Sequence, residues 1–153
     1  ILGQKATARE FLSTKFMQKR LPLIMEAVVG AGVPHCVLMS AYGVGDTVRS
    51  ASFLMRVACK TIMRSIFRDR AKADAMVAKY QPYISRALPG RLTDEPGKGG
   101  AKVVDVTSVA HVPGIPTIAR EDVADALLDI AGDPLNAGTD FLVTIEDVVI
   151  RAA

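Results

Sequence analysis

Apolar residues recur at helical intervals in the first part of the chain. Within residues 9 to 31 the steps between them are four, three, four and three, which places them on one helical face. These positions are Met17, Leu21, Ile24, Val28 and Ala31. Pro22 lacks the N–H that a helix interior uses, so we expect a kink or a restart there. Gly30 and Gly32 mark the end of the helix.

Short apolar runs without alternation predict strands that are buried on both faces. Residues 34–41 form such a run between turn residues, and residues 82–88 and 140–145 repeat the pattern, each after a helical segment. Residues 102–107 also have an extended pattern. We predict that the first three runs are strands of one mainly parallel sheet.

Two further helical segments are expected. Residues 52–79 fit one or two helices, with Asp69 as a candidate start of the second. Residues 119–131 predict a helix with Glu121 and Asp122 in its first turn, where acids interact favourably with the helix dipole.

Length and composition suit one folded domain. The 153 residues are 50% hydrophobic, which is enough to bury a continuous core. Helices that alternate with short strands indicate an α/β fold, so we predict one domain over residues 1–153. Every long apolar run is broken by charge or proline, and no transmembrane segment is expected.

Cysteine and histidine positions give no sign of a metal site. Cys36 and Cys59 have no metal-ligand spacing with each other or with His35 and His111. We expect two reduced thiols and, from them, a cytoplasmic protein.

Basic residues are concentrated in residues 1–100, with 16 Lys and Arg against 7 Asp and Glu. Four of them recur at intervals of four and are predicted to form a stripe on one helical face: Arg56, Lys60, Arg64 and Arg68. Such a stripe suits an anionic membrane surface or a nucleic acid, but charged faces of amphipathic helices usually only contact water. With few aromatic residues nearby, no nucleic-acid partner is expected.

Three stretches carry a family resemblance: VLMSAYGVG at residues 37–45, PGRLTDEP at residues 89–96 and IAREDVA at residues 118–124. In this order and spacing they resemble the NmrA-like branch of the atypical short-chain dehydrogenase/reductases, a group that includes flavin and biliverdin reductases. The resemblance implies a Rossmann-like fold, NAD or NADP as cofactor, and a small-molecule acceptor as the second partner.

The first stretch resembles a family strand that ends in a serine beside the nicotinamide. The resemblance makes Ser40 and Tyr42 the candidate catalytic residues, and Ser40, Ala41 and Tyr42 candidate cofactor contacts. A hydroxyl at the carboxyl end of a buried strand is held rigidly and can donate to an oxygen that gains charge. The alternative is that Ser40 only caps the turn after the strand.

The second stretch resembles a family loop that passes along the nicotinamide towards the substrate pocket. Its candidate cofactor contacts are Pro89, Gly90, Arg91 and Leu92. A glycine there permits close approach of the backbone to a ligand, although an ordinary turn is the alternative. The family usually has arginine before the proline, whereas this chain has Leu88 there and Arg86 two residues earlier.

The third stretch resembles a helix start and is expected to be structural. Where the family has a capping serine this chain has Ala119, so Thr117 is the expected cap. Arg70 and Asp74 match a family pair of base and acid four residues apart. Arg70 is therefore a candidate contact for ribose or phosphate, or else part of a weak surface ion pair.

A glycine-rich phosphate-binding turn is not found in the sequence. The glycines at 43–45 and 97–100 do not reproduce GxGxxG between a strand and a helix. Residues 1–3 resemble the end of the family's fourth strand, which makes Gly3 a candidate cofactor contact. We therefore expect the C-terminal half of a Rossmann-like domain, without the glycine-rich βαβ half, and weak dinucleotide binding by this half alone.

The proton-donor pattern Tyr-x-x-x-Lys of ordinary short-chain dehydrogenases is also not found, because Asp46, Ile84 and Ala87 follow the three tyrosines at that spacing. Reduction of a flavin or quinone needs less from the protein, since such an acceptor takes its proton from solvent. The sequence predicts an NAD(P)H-binding oxidoreductase with an acceptor of that type. The alternative is a non-catalytic redox-sensing or interaction protein.

Overall fold

The computed structural model describes residues 15–61 and 63–151, which contain both α-helices and β-strands. The α-helices of the described residues are α1 (Phe16–Gly30), α2 (Phe53–Lys60), α3 (Arg64–Met76) and α4 (Arg120–Gly132). The strands are β1 (Cys36–Met39), β2 (Ile84–Pro89), β3 (Arg91–Thr93), β4 (Lys102–Asp105), β5 (Val109–His111), β6 (Thr117–Ala119), β7 (Asp140–Thr144) and β8 (Val149–Ile150). None of the described helices has the length and apolar content that crossing a bilayer requires.

The main sheet has the strand order β1-β2-β7-β4. β1, β2 and β7 run parallel, and β4 is added antiparallel to β7. Two small pairs complete the strands: β3 with β6, parallel, and β5 with β8, antiparallel. This confirms the mainly parallel sheet predicted from the three apolar runs at residues 34–41, 82–88 and 140–145.

One face of the main sheet packs on α4. The strand residues Ala87 and Val143 are fully buried there. They meet Val123, Ala126 and Ile130, which lie three and four residues apart on α4 and so share one helical face. This apolar contact fixes α4 across the sheet.

The opposite face is covered by α1, α2 and α3 and is apolar at its two ends only. Leu21 and Met25 of α1 pack with Ile84 at one end, and Leu88 and Leu142 lie in a second cluster at the other. Between the two clusters β2 and β7 carry polar side chains, described below. A charged group in the middle of a buried face needs hydrogen-bond or ion-pair partners. This part of the face is therefore polar and not a purely apolar core.

α1 runs through Pro22 without a break. The expected restart of the helix at that residue is therefore wrong. Leu21 and Met25, on either side of it, are almost fully buried against α3 and β2. This packing holds the helix where propensity alone would end it.

Asp69 does not begin a helix, because α3 starts at Arg64 and Asp69 lies inside it. Its carboxylate instead accepts from the backbone N–H of Met17 at 3.0 Å and from Gln18 Nε2 at 2.7 Å. Asp69 thus caps the first turn of α1 from another helix. The sequence pattern predicted a capping role for Asp69, but the helix that Asp69 caps is α1 and not the helix that contains it.

The four-base stripe is also interrupted, since α2 ends at Lys60 and α3 begins at Arg64. The prediction that Arg56, Lys60, Arg64 and Arg68 share one helical face is wrong.

The prediction that Thr117 caps the helix at residues 119–131 is wrong as well. Thr117 is paired in β6, and Ala119 precedes α4 without a side-chain cap.

Candidate cofactor and acceptor site

The chain leaves β1 alongside the end of β2. Ser40 N–H donates to the Ala87 carbonyl at 2.8 Å, and Tyr42 N–H donates to the Pro89 carbonyl at 2.9 Å. The first and second predicted site stretches are therefore adjacent at the carboxyl ends of two parallel strands. Open α/β sheets place their ligands at this edge.

The Ser40 side chain is held inside this corner. The residue is 2% exposed, and its Oγ–H donates to Asp74 Oδ2 of α3 at 3.0 Å. The other carboxylate oxygen of Asp74 is buried and has no hydrogen-bond partner among the described residues. The hydroxyl is thus rigidly placed, and its proton is directed at Asp74.

Tyr42 belongs to the core. It is 1% exposed, it is part of the cluster that contains Met55 and Phe67, and its hydroxyl lies 2.9 Å from Ser50 Oγ. Burial raises the pKa of the Tyr42 hydroxyl, against the smaller opposing effect of the Ser50 hydrogen bond. The phenol is neutral and already hydrogen-bonded. A catalytic role for Tyr42 stays a prediction.

Arg70 reaches the tip of β1 from α3. Its guanidinium donates to the Met39 carbonyl. Because the N–H groups of Ser40 and Tyr42 face β2 and backbone direction alternates along a strand, this carbonyl faces the opposite edge of β1. Burial lowers the pKa of Arg70, and the charges of Asp74 and Asp69 oppose this effect.

Arg70 and Asp74 do not form the simple surface pair that their spacing suggested. The Asp74 carboxylate accepts from Ser40 and from Arg86, the latter at 3.3 Å. Arg70 Nε, like Asp74 Oδ1, is buried without a hydrogen-bond partner among the described residues. One turn of α3 therefore places an unpaired hydrogen-bond donor, Arg70 Nε, and an unpaired acceptor, Asp74 Oδ1, beside the end of β1.

Arg86 joins the two acids of this face. Its Nε donates to Asp140 Oδ1 at 2.8 Å, a second nitrogen contacts Asp140 Oδ2, and the third contacts Asp74. The hydrogen bonds with Asp140 raise the pKa of Arg86 more than burial lowers it. Sequence reasoning noted Arg86 only as a displaced family arginine and missed Asp140. The available signal was a charge inside an apolar strand.

Gly90 is constrained by a protein backbone. A Cβ on Gly90 would lie 2.2 Å from the Pro116 carbonyl oxygen, and the next N–H, of Arg91, donates to that oxygen at 2.8 Å. The expected close approach is thus to Pro116 in this structure, where the chain enters the β3–β6 pair. Arg91 and Leu92 are paired strand residues of β3 rather than part of a free loop.

The loop that follows the second family stretch is bound to the third stretch. Asp122, at the start of α4, accepts from the N–H groups of Lys98 and Gly99 at 3.1 and 2.8 Å, and Glu121 accepts from Gly97 at 2.8 Å. Asp122 is 2% exposed. Its role is to fix the loop after β3, which agrees with the structural role expected of this stretch.

Two cavities lie on the face of the sheet that α1, α2 and α3 cover. One, of about 620 Å³, is lined in part by Asp74, Arg86 and Asp140. The other, of about 510 Å³, lies between α2 and α3 beside Gly43. Residues 15–61 and 63–151 contain no cluster of three potential metal-ligating side chains. The remaining predicted contact, Gly3, lies outside the described residues.

Comparison with solved structures identifies the fold. A short-chain dehydrogenase/reductase of Veillonella parvula in complex with NADP superposes with a TM-score of 0.69 at 16% identity, over 86% of this chain and 59% of its own. A Bacillus halodurans protein named for the NAD-dependent epimerase/dehydratase class gives 0.69 at 18% identity, over 95% and 61%. ChuY of Escherichia coli O157:H7, described as an anaerobillin reductase, gives 0.61 at 18%, over 83% and 57%.

These likenesses establish a Rossmann-like fold, and the chain spans 57 to 61% of the length of these three proteins. A search of curated protein sequences finds no match. A sequence model of the NAD(P)H-binding family matches residues 3–134, which include the β1 and β2 ends and the Arg70 helix. The chain therefore belongs to the NAD(P)H-binding family of Rossmann-like proteins.

Proposed function

We propose that the whole protein is an NAD(P)H-dependent reductase of the NmrA-like branch, acting on an acceptor of the flavin or quinone type. The observation that carries the proposal is the meeting of the β1 and β2 ends at one corner, with Arg70 above the outer edge of β1. Bound NAD(P)H would supply a hydride at that corner. The backbone of residues 40–42 and 89–92 is proposed to lie along the nicotinamide.

Arg70 and Asp74 fit the polar part of such a cofactor. Arg70 Nε is a buried donor without a hydrogen-bond partner, and Asp74 Oδ1 is a buried acceptor without one, among the described residues. Ribose hydroxyls both donate and accept, and phosphates accept, so a nucleotide could satisfy these atoms. The described residues contain no GxGxxG turn between a strand and a helix. We propose that other residues of the whole protein, Gly3 among them, hold the pyrophosphate.

The chemical class of the electron acceptor is inferred from the side chains that could donate a proton near the ends of β1 and β2. The Tyr42 phenol is buried in the core, and no lysine follows a tyrosine at the spacing that lowers a tyrosine pKa for acid–base catalysis. A flavin or quinone takes its proton from water, which makes a dedicated donor unnecessary. During turnover the Ser40 hydroxyl is proposed to leave its hydrogen bond with Asp74 and to donate instead to an oxygen of the electron acceptor. Asp74 would keep its contact with Arg86.

Replacing Ser40 with alanine in the whole protein tests this proposal. We expect kcat for NADPH oxidation with a flavin acceptor to fall about a hundredfold, the usual loss for one donor aimed at developing charge. The Kd for NADPH should change less than about twofold, because the proposed cofactor contacts of residues 40–42 are made by the backbone, which the substitution keeps. Stopped-flow absorbance at 340 nm and calorimetric titration measure the two quantities.

Ser85→Ala is the matched control. Ser85 is also a fully buried serine, on the neighbouring strand, but its hydroxyl bonds the Asn136 carbonyl and contacts His35 away from the corner. It should cost stability and leave kcat unchanged. If Ser40→Ala behaves in the same way, Ser40 is a structural residue. If the wild-type protein binds no NAD(P)H, the whole proposal is wrong.

A second candidate function rests on one observation. Both candidate catalytic hydroxyls, Ser40 and Tyr42, are buried and bonded to protein groups. This arrangement also suits a redox-sensing or interaction protein that binds NAD(P)H without turnover. The kcat of the wild-type protein decides between the two functions.

A cytoplasmic location is part of the proposal and is supported by two free thiols, Cys36 and Cys59.

A further inference from the structure

α2 exposes an apolar face to solvent in addition to the one that it buries. Met55 and Cys59, four residues apart, are its buried residues. Phe53, Leu54 and Val57 lie on the outer side and are 79%, 61% and 42% exposed. Val57 is four and three residues from the other two, so they form one continuous surface, which we call the α2 patch. A surface helix normally has polar residues on its outer side, so the α2 patch indicates contact with an apolar partner.

Four exposed bases border the α2 patch, and we call them the basic border: Arg56, Lys60, Arg64 and Arg68. Each of the two bases on α2 lies three residues after a member of the patch, and thus next to it on the helix surface. Lys60 also lines one opening together with the two bases of α3. The basic border therefore continues from α2 onto α3, although its members do not share one helical face.

The charges of the basic border are not balanced by acids nearby. Between Asp46 and Asp69 the sequence contains five bases and no acid. Arg49 pairs with Asp46, and Asp69 is buried against α1. Among the described residues, no ion pair includes a member of the basic border, and Arg56 Nε donates to a neutral carbonyl, that of Ala51. The surface thus combines unpaired cations with exposed apolar side chains.

We propose that α2 and the first turns of α3 dock the protein on an anionic lipid bilayer. The α2 patch would enter the boundary between headgroups and acyl chains, and the basic border would contact lipid phosphates and carboxylates. Helices that bind at a membrane surface combine these two features, because apolar side chains supply affinity and cations favour anionic lipids.

A bilayer matches this surface better than a nucleic acid does. A nucleic acid would contact the basic border but would leave the aliphatic side chains of Leu54 and Val57 without an apolar partner. A bilayer offers negative charge over a wide area and an apolar layer directly beneath it. The inference goes beyond the proposed reductase function and does not depend on it.

Sedimentation of the whole protein with sucrose-loaded vesicles tests the inference. We expect vesicles with about 30% phosphatidylserine in phosphatidylcholine to bind the protein about tenfold more strongly than pure phosphatidylcholine vesicles. Salt at about 0.5 M should remove most of this difference, because it screens charges that are more than about 4 Å apart.

Two double variants separate the apolar and the charged contributions. Phe53→Ala/Leu54→Ala should weaken binding to the anionic vesicles about thirtyfold, because most of the apolar contact is lost. Arg64→Gln/Arg68→Gln should weaken it about 25-fold, or about fivefold for each base. All four residues are exposed, so the melting temperatures should stay within about 2 °C of the wild-type value.

Two control variants change exposed residues elsewhere. Leu128→Ala/Leu135→Ala removes leucines that are 72% and 89% exposed, on and just after α4, which covers the opposite face of the sheet. Lys98→Gln/Lys102→Gln removes two exposed lysines, and the backbone of Lys98 is bound to Asp122 of α4. Both controls should bind the anionic vesicles within about twofold of the wild-type protein.

Absence of wild-type binding to the anionic vesicles would overturn the inference. Equal binding to neutral vesicles, unchanged binding of Phe53→Ala/Leu54→Ala, or controls that are as weak as the two double variants would also overturn it. Sedimentation equilibrium and duplex DNA titration cover the other occupants. Self-association or DNA binding that the double variants abolish, without vesicle binding, would assign the surface to a second copy or to a nucleic acid instead. NADPH oxidation is measured without vesicles, so failure here leaves the reductase proposal standing.

Discussion

Replacing Gly90 with alanine is expected to lower the free energy of unfolding by about 3 kcal/mol, at the upper end of the cost of overpacking. The added methyl group would lie 2.2 Å from the Pro116 carbonyl oxygen and 2.8 Å from its carbon, which are backbone atoms that cannot rotate away. Relief requires the β3–β6 pair to separate, and the Arg91 hydrogen bond to Pro116 would be lost with it.

Urea unfolding followed by circular dichroism measures this effect. Gly132→Ala is the control, because Gly132 ends α4 with ordinary backbone dihedrals and a Cβ there has no neighbour within 4 Å. That change should be neutral or stabilising by up to about 1 kcal/mol. If Gly90→Ala is as mild as the control, the contact with Pro116 is not a constraint, and the glycine is available for close approach of a ligand.

Replacing Arg86 with methionine should also lower the free energy of unfolding by about 3 kcal/mol. The side chain holds Asp140 through two contacts and Asp74 through a third, on the buried face of the sheet. Methionine fills the volume of the aliphatic stem but leaves two acids facing each other without a cation. The cost comes from these uncompensated charges more than from the lost attraction.

Arg49→Met provides the comparison, because Arg49 also pairs with an acid, Asp46 at 3.1 Å, but both side chains are largely exposed. Its loss should change stability by less than about 0.5 kcal/mol. The triple variant Arg86→Met/Asp74→Asn/Asp140→Asn should recover part of the loss, since it removes the unpaired charges. A triple variant no more stable than Arg86→Met would show that packing, and not charge, explains the effect.

The sheet could be predicted from the sequence because its strands are short apolar runs between turns. That pattern has one common explanation, a parallel sheet covered on both faces, and β1, β2 and β7 follow it. The meeting of the β1 and β2 ends was implied by the resemblance. It is a direct consequence of parallel pairing, in which adjacent strands end at the same edge.

Contacts between distant residues could not be predicted. Asp69 carries the signal of a helix start, yet it caps α1, 52 residues away from Met17 in sequence. Gly90 and Pro116, and Arg86 and Asp140, are similarly brought together by the fold alone. A local pattern indicates that a residue needs a partner, but the partner is defined only when the strands are in register.

The central claim is that NAD(P)H binds at the carboxyl ends of β1 and β2, and mapping of amide chemical shifts tests it directly. NADPH is added to the ¹⁵N-labelled whole protein, and we expect the largest shifts at Ser40, Ala41, Tyr42, Gly90 and Arg91. Shifts confined to other regions, such as the β5–β8 pair, or no shifts at millimolar NADPH and NADH, would contradict it.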